Sequence, residues 1–244
     1  MATFGTVFTP RGTISSSLTV VQTLALGLAI GAWQALPLTA NAAEQPWQTK
    51  LERANVTIFV RSVADSEFLQ TKAVATLNAS KADVMAMFPK DKGCWQWVAR
   101  CKKSIVFATI PDQSTSTVLS YTALNMPWPL SDRDLLFQSQ QYDQRNETSG
   151  LAQTVLEISP ADPALLTKHG SPEQQKAIAK SAKKHVRAEG HMTYTVSEIS
   201  AEQSQLTIIM HTEFGGNAPV RLINGKLVEE LLADVAKLQK LLKE

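Results

Sequence analysis

The strongest pattern in the sequence is an apolar stripe near its C-terminus. Apolar residues recur every three or four positions, at Val220, Ile223, Leu227, Leu231, Val235, Leu238 and Leu242. Charged residues occupy other positions of the same segment, at Glu229, Glu230, Lys237 and Lys240. This spacing predicts one amphipathic helix of about 24 residues, because it gathers the apolar side chains on a single face. Such a face has to be buried against another layer of the fold.

The segments that precede this helix alternate as strands. Residues 56–62 and 68–77 predict a hairpin, and further strands are expected at 102–110, 116–125, 132–144, 151–158, 186–199 and 205–214. Short polar turns at near-regular spacing are typical of an antiparallel meander. The C-terminal helix can bury its stripe by lying across one face of that sheet. The predicted fold class is therefore α+β, with a curved antiparallel sheet wrapped around a long C-terminal helix.

Three shorter helices are also expected. Residues 47–54 carry apolar side chains at helical spacing. Residues 80–88 begin at Ser80 in the pattern of an N-terminal cap. Residues 171–184 begin with a capping serine, Ser171, followed by a proline at the first helical position.

Residues 1–42 are predicted to be a secretory signal peptide. Arg11 is the only ionisable side chain in this part of the chain, and a mostly apolar run follows at residues 18–33. Ala40 and Ala42 then supply the small side chains that a signal peptidase requires.

A retained membrane anchor is the alternative, because residues 18–38 are about long enough to cross a bilayer. Cleavage before Ala43 would leave residues 43–244 as one domain by length. We expect this domain to be exported to an oxidising compartment, most simply the bacterial periplasm, and to act as a monomer.

The balance of charge excludes one class of partner. The chain has 24 Lys and Arg residues against 22 Asp and Glu residues, a net charge of +2. This is too balanced for a protein whose main task is to bind nucleic-acid phosphates. One basic cluster is present, at Lys176, Lys180, Lys183, Lys184 and Arg187. It is interpreted as a solvated helix face or as a transient contact with an anionic membrane surface.

The two cysteines, Cys94 and Cys101, leave two possibilities open. An oxidising compartment permits a disulfide between them, but pairing depends on a geometry that the sequence does not reveal. A zinc or redox site is disfavoured, because the chain has no C-x-x-C motif and no histidine near either cysteine.

The sequence gives little support to metal or enzyme chemistry. His191 would lie near His211 and Glu213 if the last two strands pair, but ordinary strand histidines are the simpler interpretation. The chain contains no HExxH, P-loop, GxGxxG or GxSxG motif. We therefore expect no metal, no cofactor and no enzymatic activity.

Several motifs resemble those of bacterial START-type lipid-binding domains, members of the helix-grip superfamily. Residues 126–134 (MPWPLSDRD) are similar to the family's strand-entry motif. Trp97 followed by residues 100–102 is similar to the segment before its third strand. Residues 186–187 followed by Gly190 are similar to the entry of its penultimate strand. The predicted order of helices and strands is also that of the family.

The resemblance implies a cavity between the sheet and the C-terminal helix that binds a lipid or another hydrophobic ligand. The expected ligand-binding residues are Trp97, Tyr121, Met126, Trp128, Arg133, Phe137, Tyr194, Met210, Ile223 and Leu227. Residues 214–222 are expected to form a hinge that gates entry, with Gly215 and Gly216 supplying backbone freedom. Methionines on the expected inner surface suit a variable apolar ligand, although they could also fill ordinary core gaps.

Arg133 has two possible roles. A guanidinium that points inward would hold an acidic group of the ligand. The favoured interpretation is that Arg133 pairs with a structural carboxylate and fixes the turn before its strand, because buried charges usually occur in pairs.

Two alternative functions remain at this point. The same scaffold also hosts cyclases of aromatic polyketides, and such an enzyme would need an acid/base pair in the cavity, with Arg133, Asp134 and the histidines as candidates. The other alternative is an interaction module whose core is filled by side chains.

Overall fold

The computed structural model describes residues 45–53, 55–89, 94–112 and 115–244. The predicted signal peptide, residues 1–42, lies outside these residues. The strands are β1 (Gln48–Arg53), β2 (Val56–Arg61), β3 (Gln70–Leu77), β4 (Cys101–Pro111), β5 (Ser116–Leu124), β6 (Arg133–Arg145), β7 (Ala152–Pro160), β8 (Val186–Arg187), β9 (Glu189–Ser200) and β10 (Gln203–Glu213). The helices are α1 (Lys81–Ala86), α2 (Pro163–His169), α3 (Pro172–Ala182) and α4 (Val220–Leu241).

The strands of the described residues form one ten-stranded sheet in the order β1-β2-β3-β10-β9-β7-β6-β5-β4, with β8 paired to β6. All pairs along that path are antiparallel. The predicted hairpin is confirmed as β2 and β3, and the predicted meander as β4 to β7. The predicted α+β fold class is therefore confirmed.

Helix α4 packs its apolar stripe against the sheet, as the spacing predicted. Ile223, Leu231, Val235 and Leu238 are its buried residues. The last three belong to the main core together with side chains from β2, β3, β9 and β10. Among the described residues, no helix is both long and apolar enough to cross a membrane.

A second core covers the opposite face of the sheet at β4, β5 and β6. Ile178 of α3 packs there with Tyr121, Leu136 and Phe107. Ser171 and Gln174 form the reciprocal capping box at the start of α3, so the sequence signal for this helix is confirmed. The outward side chains of Phe107, Tyr121 and Leu136 are consequently part of a core rather than of a solvent-facing surface.

Residues 47–54 are not a helix, contrary to the prediction. Gln48–Arg53 is the edge strand β1, which pairs with β2. Trp47 lies beneath the cations of Arg61 and Lys72, at 4.3 and 4.6 Å from its ring centroid. A segment of this length forms an isolated helix poorly in water, so hydrogen bonding to an open sheet edge prevails.

The strand predicted at residues 186–199 is two strands. Val186–Arg187 crosses to pair in parallel with the start of β6. The backbone N–H of Ala188 donates to the carbonyl of Asp134 at 2.9 Å, and Ala188 is buried at the break. The chain then resumes as β9 beside β10.

Candidate ligand cavity

A cavity of about 250 Å³ lies between the inner face of the sheet, α4 and the segment 94–101. The side-chain alternation of the strands decides which residues reach it. On β5, Ser120 and Thr122 line the cavity, whereas Leu119 and Tyr121 belong to the core on the other face.

Most of the cavity wall is apolar. The aliphatic and aromatic side chains that line it include Phe88, Trp95, Val106, Val118, Leu124, Met126, Leu135, Phe137, Leu156, Ile158, Met192, Tyr194, Met210, Phe214, Leu227 and Leu231. These residues come from six strands, α4 and the loops between them, so the cavity is enclosed by elements that are distant in sequence.

One side of the cavity carries neutral polar groups, which we call the hydroxyl wall: Ser104 of β4, Ser120 and Thr122 of β5, and Ser139 and Gln141 of β6. The hydroxyl of Thr122 donates to Oγ of Ser104 at 3.2 Å across the β4–β5 pair. None of these residues is among the ligand-binding residues predicted from the sequence. The alternation of β5 could have identified them if its inward phase had been known.

Charged side chains lie where α4 meets the segment 94–101. Arg100 pairs with Glu230 at 2.6 Å, and both side chains are 34% exposed. One turn further along α4, Oδ1 of Asp234 accepts the backbone N–H of Ala99 at 3.0 Å. All three charged residues line the cavity. Burial raises the pKa of Asp234 to about 6, despite the hydrogen bond from Ala99.

The structure pairs Cys94 with Cys101 in a disulfide, which is one of the two possibilities that the sequence left open. Both cysteines line the cavity. The bridge closes the segment that carries Ala99 and Arg100, so the partners of α4 are held on a short loop.

Two tryptophans of this segment, Trp95 and Trp97, belong to an aromatic cluster with Phe88 and Tyr194. Trp97 is 1% exposed and packs against the rings of Phe88, Trp95 and Tyr194 at centroid distances of 5.2, 5.6 and 5.9 Å. The indole N–H of Trp97 donates to the carbonyl of Met87 at 3.1 Å. Burial also raises the pKa of Tyr194. Trp95 and Tyr194 reach the cavity, whereas Trp97 lies outside its lining.

Five of the predicted ligand-binding residues line the cavity: Met126, Phe137, Tyr194, Met210 and Leu227. They come from five different elements or loops, and the fold brings them together. Their role in ligand binding stays a prediction, because their position fixes only which side chains a bound molecule would meet.

The other five predicted residues, Trp97, Tyr121, Trp128, Arg133 and Ile223, do not line the cavity. Trp97 is behind the wall, and the alternation of β5 turns Tyr121 to the second core. Ile223 packs against Phe68 and Phe214, beyond the end of the cavity.

Trp128 points into solvent and is 92% exposed. It lies in a tight turn in which the N–H of Leu130 donates to the carbonyl of Pro127 at 2.9 Å. Met126 and Leu130 fill the inner side of this turn and pack against the cluster of Phe68, Phe214 and Ile223. The apolar contacts of this turn are therefore made by Met126 and Leu130 and not by the indole.

Arg133 is buried, but its partners are carbonyl groups rather than the predicted carboxylate. Its guanidinium donates to the carbonyls of Phe214 at 2.7 Å, Gly215 at 3.3 Å and Ser131. The neighbouring carboxylate of Asp134 pairs with Arg187 at 2.8 Å instead. Arg133 thus fixes the turn, as the favoured interpretation held, but through backbone oxygens.

The expected hinge before α4 is held tightly. Gly215 and Gly216 have φ values of +61° and +57°, which favour glycine. A Cβ at Gly215 would overlap the carbonyl oxygen of Arg187. The glycines therefore allow the backbone to pass close to Arg187, and they do not make this segment a freely moving hinge.

The histidines lie on the face of the sheet away from the cavity. His191 borders an outer groove of about 260 Å³ with polar neighbours on β5 to β7. It pairs in register with His211, whose Nε2 lies 2.9 Å from Oε1 of Glu213. No group of three metal-binding side chains is present among the described residues.

Replacing Asp234 by asparagine is expected to raise the free energy of unfolding at pH 8 by about 2 kcal/mol. The raised pKa means that the folded state binds more protons than the unfolded state between about pH 4 and 6, so stability falls as the pH rises through this window. Asparagine keeps an acceptor for Ala99 and carries no charge. Chemical denaturation from pH 4 to 8 would test this. The control is Glu229→Gln, which removes the exposed carboxylate that pairs with Lys226. An unchanged pH profile in Asp234→Asn would contradict the assignment.

This chain is similar to known proteins in both sequence and structure. The START domain family model matches residues 28–242. An uncharacterized protein of Pseudomonas aeruginosa is 21% identical over 192 residues, which is 79% of this chain and 84% of that protein. A STAR-related lipid transfer protein from Xanthomonas axonopodis superposes with a TM-score of 0.60 at 20% identity, covering 81% of this chain and 99% of that one. Human STARD10 superposes with a TM-score of 0.63 at 14% identity, covering 80% and 72%. At these identities the superpositions show a shared fold.

Proposed function

The chain belongs to the START domain family, and on that premise we propose that it binds and carries a lipid or another hydrophobic ligand between the sheet and α4. The observation that carries the proposal is the cavity of about 250 Å³ with its largely apolar wall. An empty apolar cavity costs a protein stability, because the groups around it lose packing contacts. A ligand that fills it gains the free energy of burying its own apolar surface.

The same geometry favours binding over catalysis. The acid/base candidates of the cyclase alternative are engaged elsewhere, since Arg133 is bound to carbonyls and Asp134 to Arg187. His185 lies beside Tyr121 on the far side of β5, with 3.4 Å between Nδ1 and the phenolic oxygen. The remaining alternative, a filled core, is disfavoured by the cavity itself.

Filling the cavity from one wall should abolish ligand binding. In Ser139→Phe a ring would project from β6 into the cavity, and we expect the affinity for the apolar dye Nile red to fall at least about tenfold. The matched control is Gln140→Phe, the next residue of the same strand, which is exposed and bonded to Thr117 on the outer face. Dye titration of both variants checks this. Equal binding by Ser139→Phe and Gln140→Phe would refute the cavity as the ligand site.

We also propose that one end of the protein contacts a membrane. Trp128 and Leu222 are 92% and 42% exposed. Leu130 and Val220, which lie two residues from them in the sequence, both pack against the apolar cluster of Phe68, Phe214 and Ile223. Met126 and Leu227 belong to this cluster and line the cavity as well, so the exposed side chains lie next to the proposed ligand site. Indole rings favour the membrane interface.

Trp128→Ala should weaken binding to vesicles that contain anionic lipid by about fivefold, because the turn then loses its interfacial anchor. Co-sedimentation at low and high salt measures this, and salt should reduce the contribution of Lys183 and Lys184. The control is Leu151→Ala, which removes an exposed apolar side chain at the opposite end of β6. Identical losses in both variants would contradict a contact at Trp128.

The proposed compartment is the periplasm, reached after cleavage near Ala42. The disulfide between Cys94 and Cys101 supports an oxidising location. Mass spectrometry of the protein from its own cells tests the proposal, since a mature chain that begins near Ala43 is expected and an intact leader would overturn it.

A further inference from the structure

The polarity of the cavity is one-sided. Five of its neutral polar side chains, Ser104, Ser120, Thr122, Ser139 and Gln141, come from β4, β5 and β6. The opposite side, from β7, β9 and β10, presents aliphatic and thioether groups, with Tyr194 and Thr212 as its polar members. The hydroxyl of Tyr194 already donates to the sulfur of Met192 at 3.6 Å. A molecule inside would meet hydrogen-bonding groups on one side and apolar groups on the other.

Several side chains of the hydroxyl wall can form further hydrogen bonds. Within the described residues, the side chains of Ser120 and Gln141 have no hydrogen-bond partner. Ser104 accepts from Thr122, which leaves its own hydroxyl proton available. A bound ligand would shield these half-buried groups from water, and polar groups that are shielded lose free energy unless they are paired, so these positions favour a ligand that brings a hydrogen-bonding group of its own.

The charges at the cavity do not suit an ionised head group. Arg100, the guanidinium in the lining, is engaged by Glu230 at 2.6 Å. Asp234 adds a second carboxylate, which has no ion pair within 4 Å among the described residues, although Arg100 and Lys237 lie close enough to lower its pKa. An anionic head would therefore meet two carboxylates beside a guanidinium that is already paired, and a cationic head would have to give up its hydration for a site that is partly exposed.

The volume limits the size of the ligand. Small-molecule ligands of drug size occupy pockets of roughly 300–1,000 Å³. The cavity of about 250 Å³ lies just below that range. It suits one hydrocarbon chain better than two.

From these observations we infer that the ligand is an uncharged amphiphile with a single hydrocarbon chain, whose hydrogen-bonding head lies against Ser104, Ser120 and Thr122 while its chain extends toward Met192 and Met210. This inference rests on the proposed function and specifies the ligand class of the same cavity.

The test is displacement of Nile red at pH 8 by four lipids with the same acyl or alkyl length: monolauroylglycerol, laurate, dodecylamine and dilauroylglycerol. Monolauroylglycerol should bind at least about tenfold more tightly than each of the others, a difference of about 1.4 kcal/mol. The Ser120→Ala/Thr122→Val variant should reduce this preference about tenfold through weaker binding of monolauroylglycerol alone. Thr117→Val, on the outer face of the same strand and outside the cavity, should leave all four affinities unchanged.

The outcomes separate the inference from the function it rests on. Equal or tighter binding of laurate, dodecylamine or dilauroylglycerol overturns the inferred ligand class while the cavity remains the binding site. An unchanged preference in Ser120→Ala/Thr122→Val, verified as folded by circular dichroism, also overturns it. The single variant Ser120→Ala replaces the double variant if the latter does not fold. Failure of Nile red and all four lipids to bind the wild-type protein refutes the proposed function and the inference together.

Discussion

Replacing Trp97 by alanine is expected to lower the free energy of unfolding by about 3–5 kcal/mol, the usual cost of removing a large buried aromatic side chain. Trp97 is 1% exposed, packs against three aromatic rings and donates to the carbonyl of Met87. Alanine would leave a cavity in this cluster and an unpaired carbonyl. Urea denaturation followed by circular dichroism measures the change.

Trp128→Ala is the natural control for that experiment. It removes the same side chain from a site that is 92% exposed, so we expect a change within about 0.5 kcal/mol. A loss below about 1 kcal/mol in Trp97→Ala would contradict a structural role and restore the original prediction that Trp97 serves the ligand.

Arg133→Ala is expected to cost about 3 kcal/mol of stability. Its guanidinium donates to three backbone carbonyls, those of Ser131, Phe214 and Gly215, and alanine would leave these oxygens without their donor. Removal of a buried charge relieves part of its desolvation cost, which keeps the net loss below the sum of three bonds. Lysine should restore little, because one ammonium group cannot reproduce the planar arrangement of donors.

The same variant distinguishes the two roles that the sequence allowed for Arg133. A structural role predicts a lower unfolding midpoint with unchanged Nile red affinity below that midpoint. A role in holding an acidic ligand predicts the reverse, with stability preserved and laurate binding lost. Arg221→Ala, an exposed arginine at the start of α4, should affect neither measurement.

The predictable parts of the fold are those with long periodic signals. The stripe of α4 and the capping box of α3 are local, and the structure has both. The prediction of a helix at residues 47–54 is wrong. Their helical spacing spans only two turns, and their backbone can instead form hydrogen bonds with the open edge of the sheet. The outcome there depended on β2, which periodicity within residues 47–54 does not reveal.

The candidate site was harder to predict because it depends on the phase of each strand. On β5, a shift of one residue decides whether Tyr121 or Ser120 faces the cavity. The aromatic residue was predicted to do so, but Tyr121 lies in the second core and Ser120 lines the cavity. Arg133 shows a second limit. Two of its three carbonyl partners lie far away in the chain, at separations of 81 and 82 residues, and backbone oxygens carry no residue-specific signal.

The attachments of α4 to the rest of the protein differ along its length. Near its start, Arg133 fixes the carbonyls of Phe214 and Gly215, and the backbone there crosses Arg187 without clearance. Its middle is held to the segment 94–101 by the Arg100–Glu230 pair and the Asp234 bond. A partly exposed ion pair contributes only about 1 kcal/mol. We therefore expect the start of α4 and the turn that carries Trp128 to keep their shape while a ligand enters, and the Arg100–Glu230 pair to be the polar attachment of α4 that opens most easily.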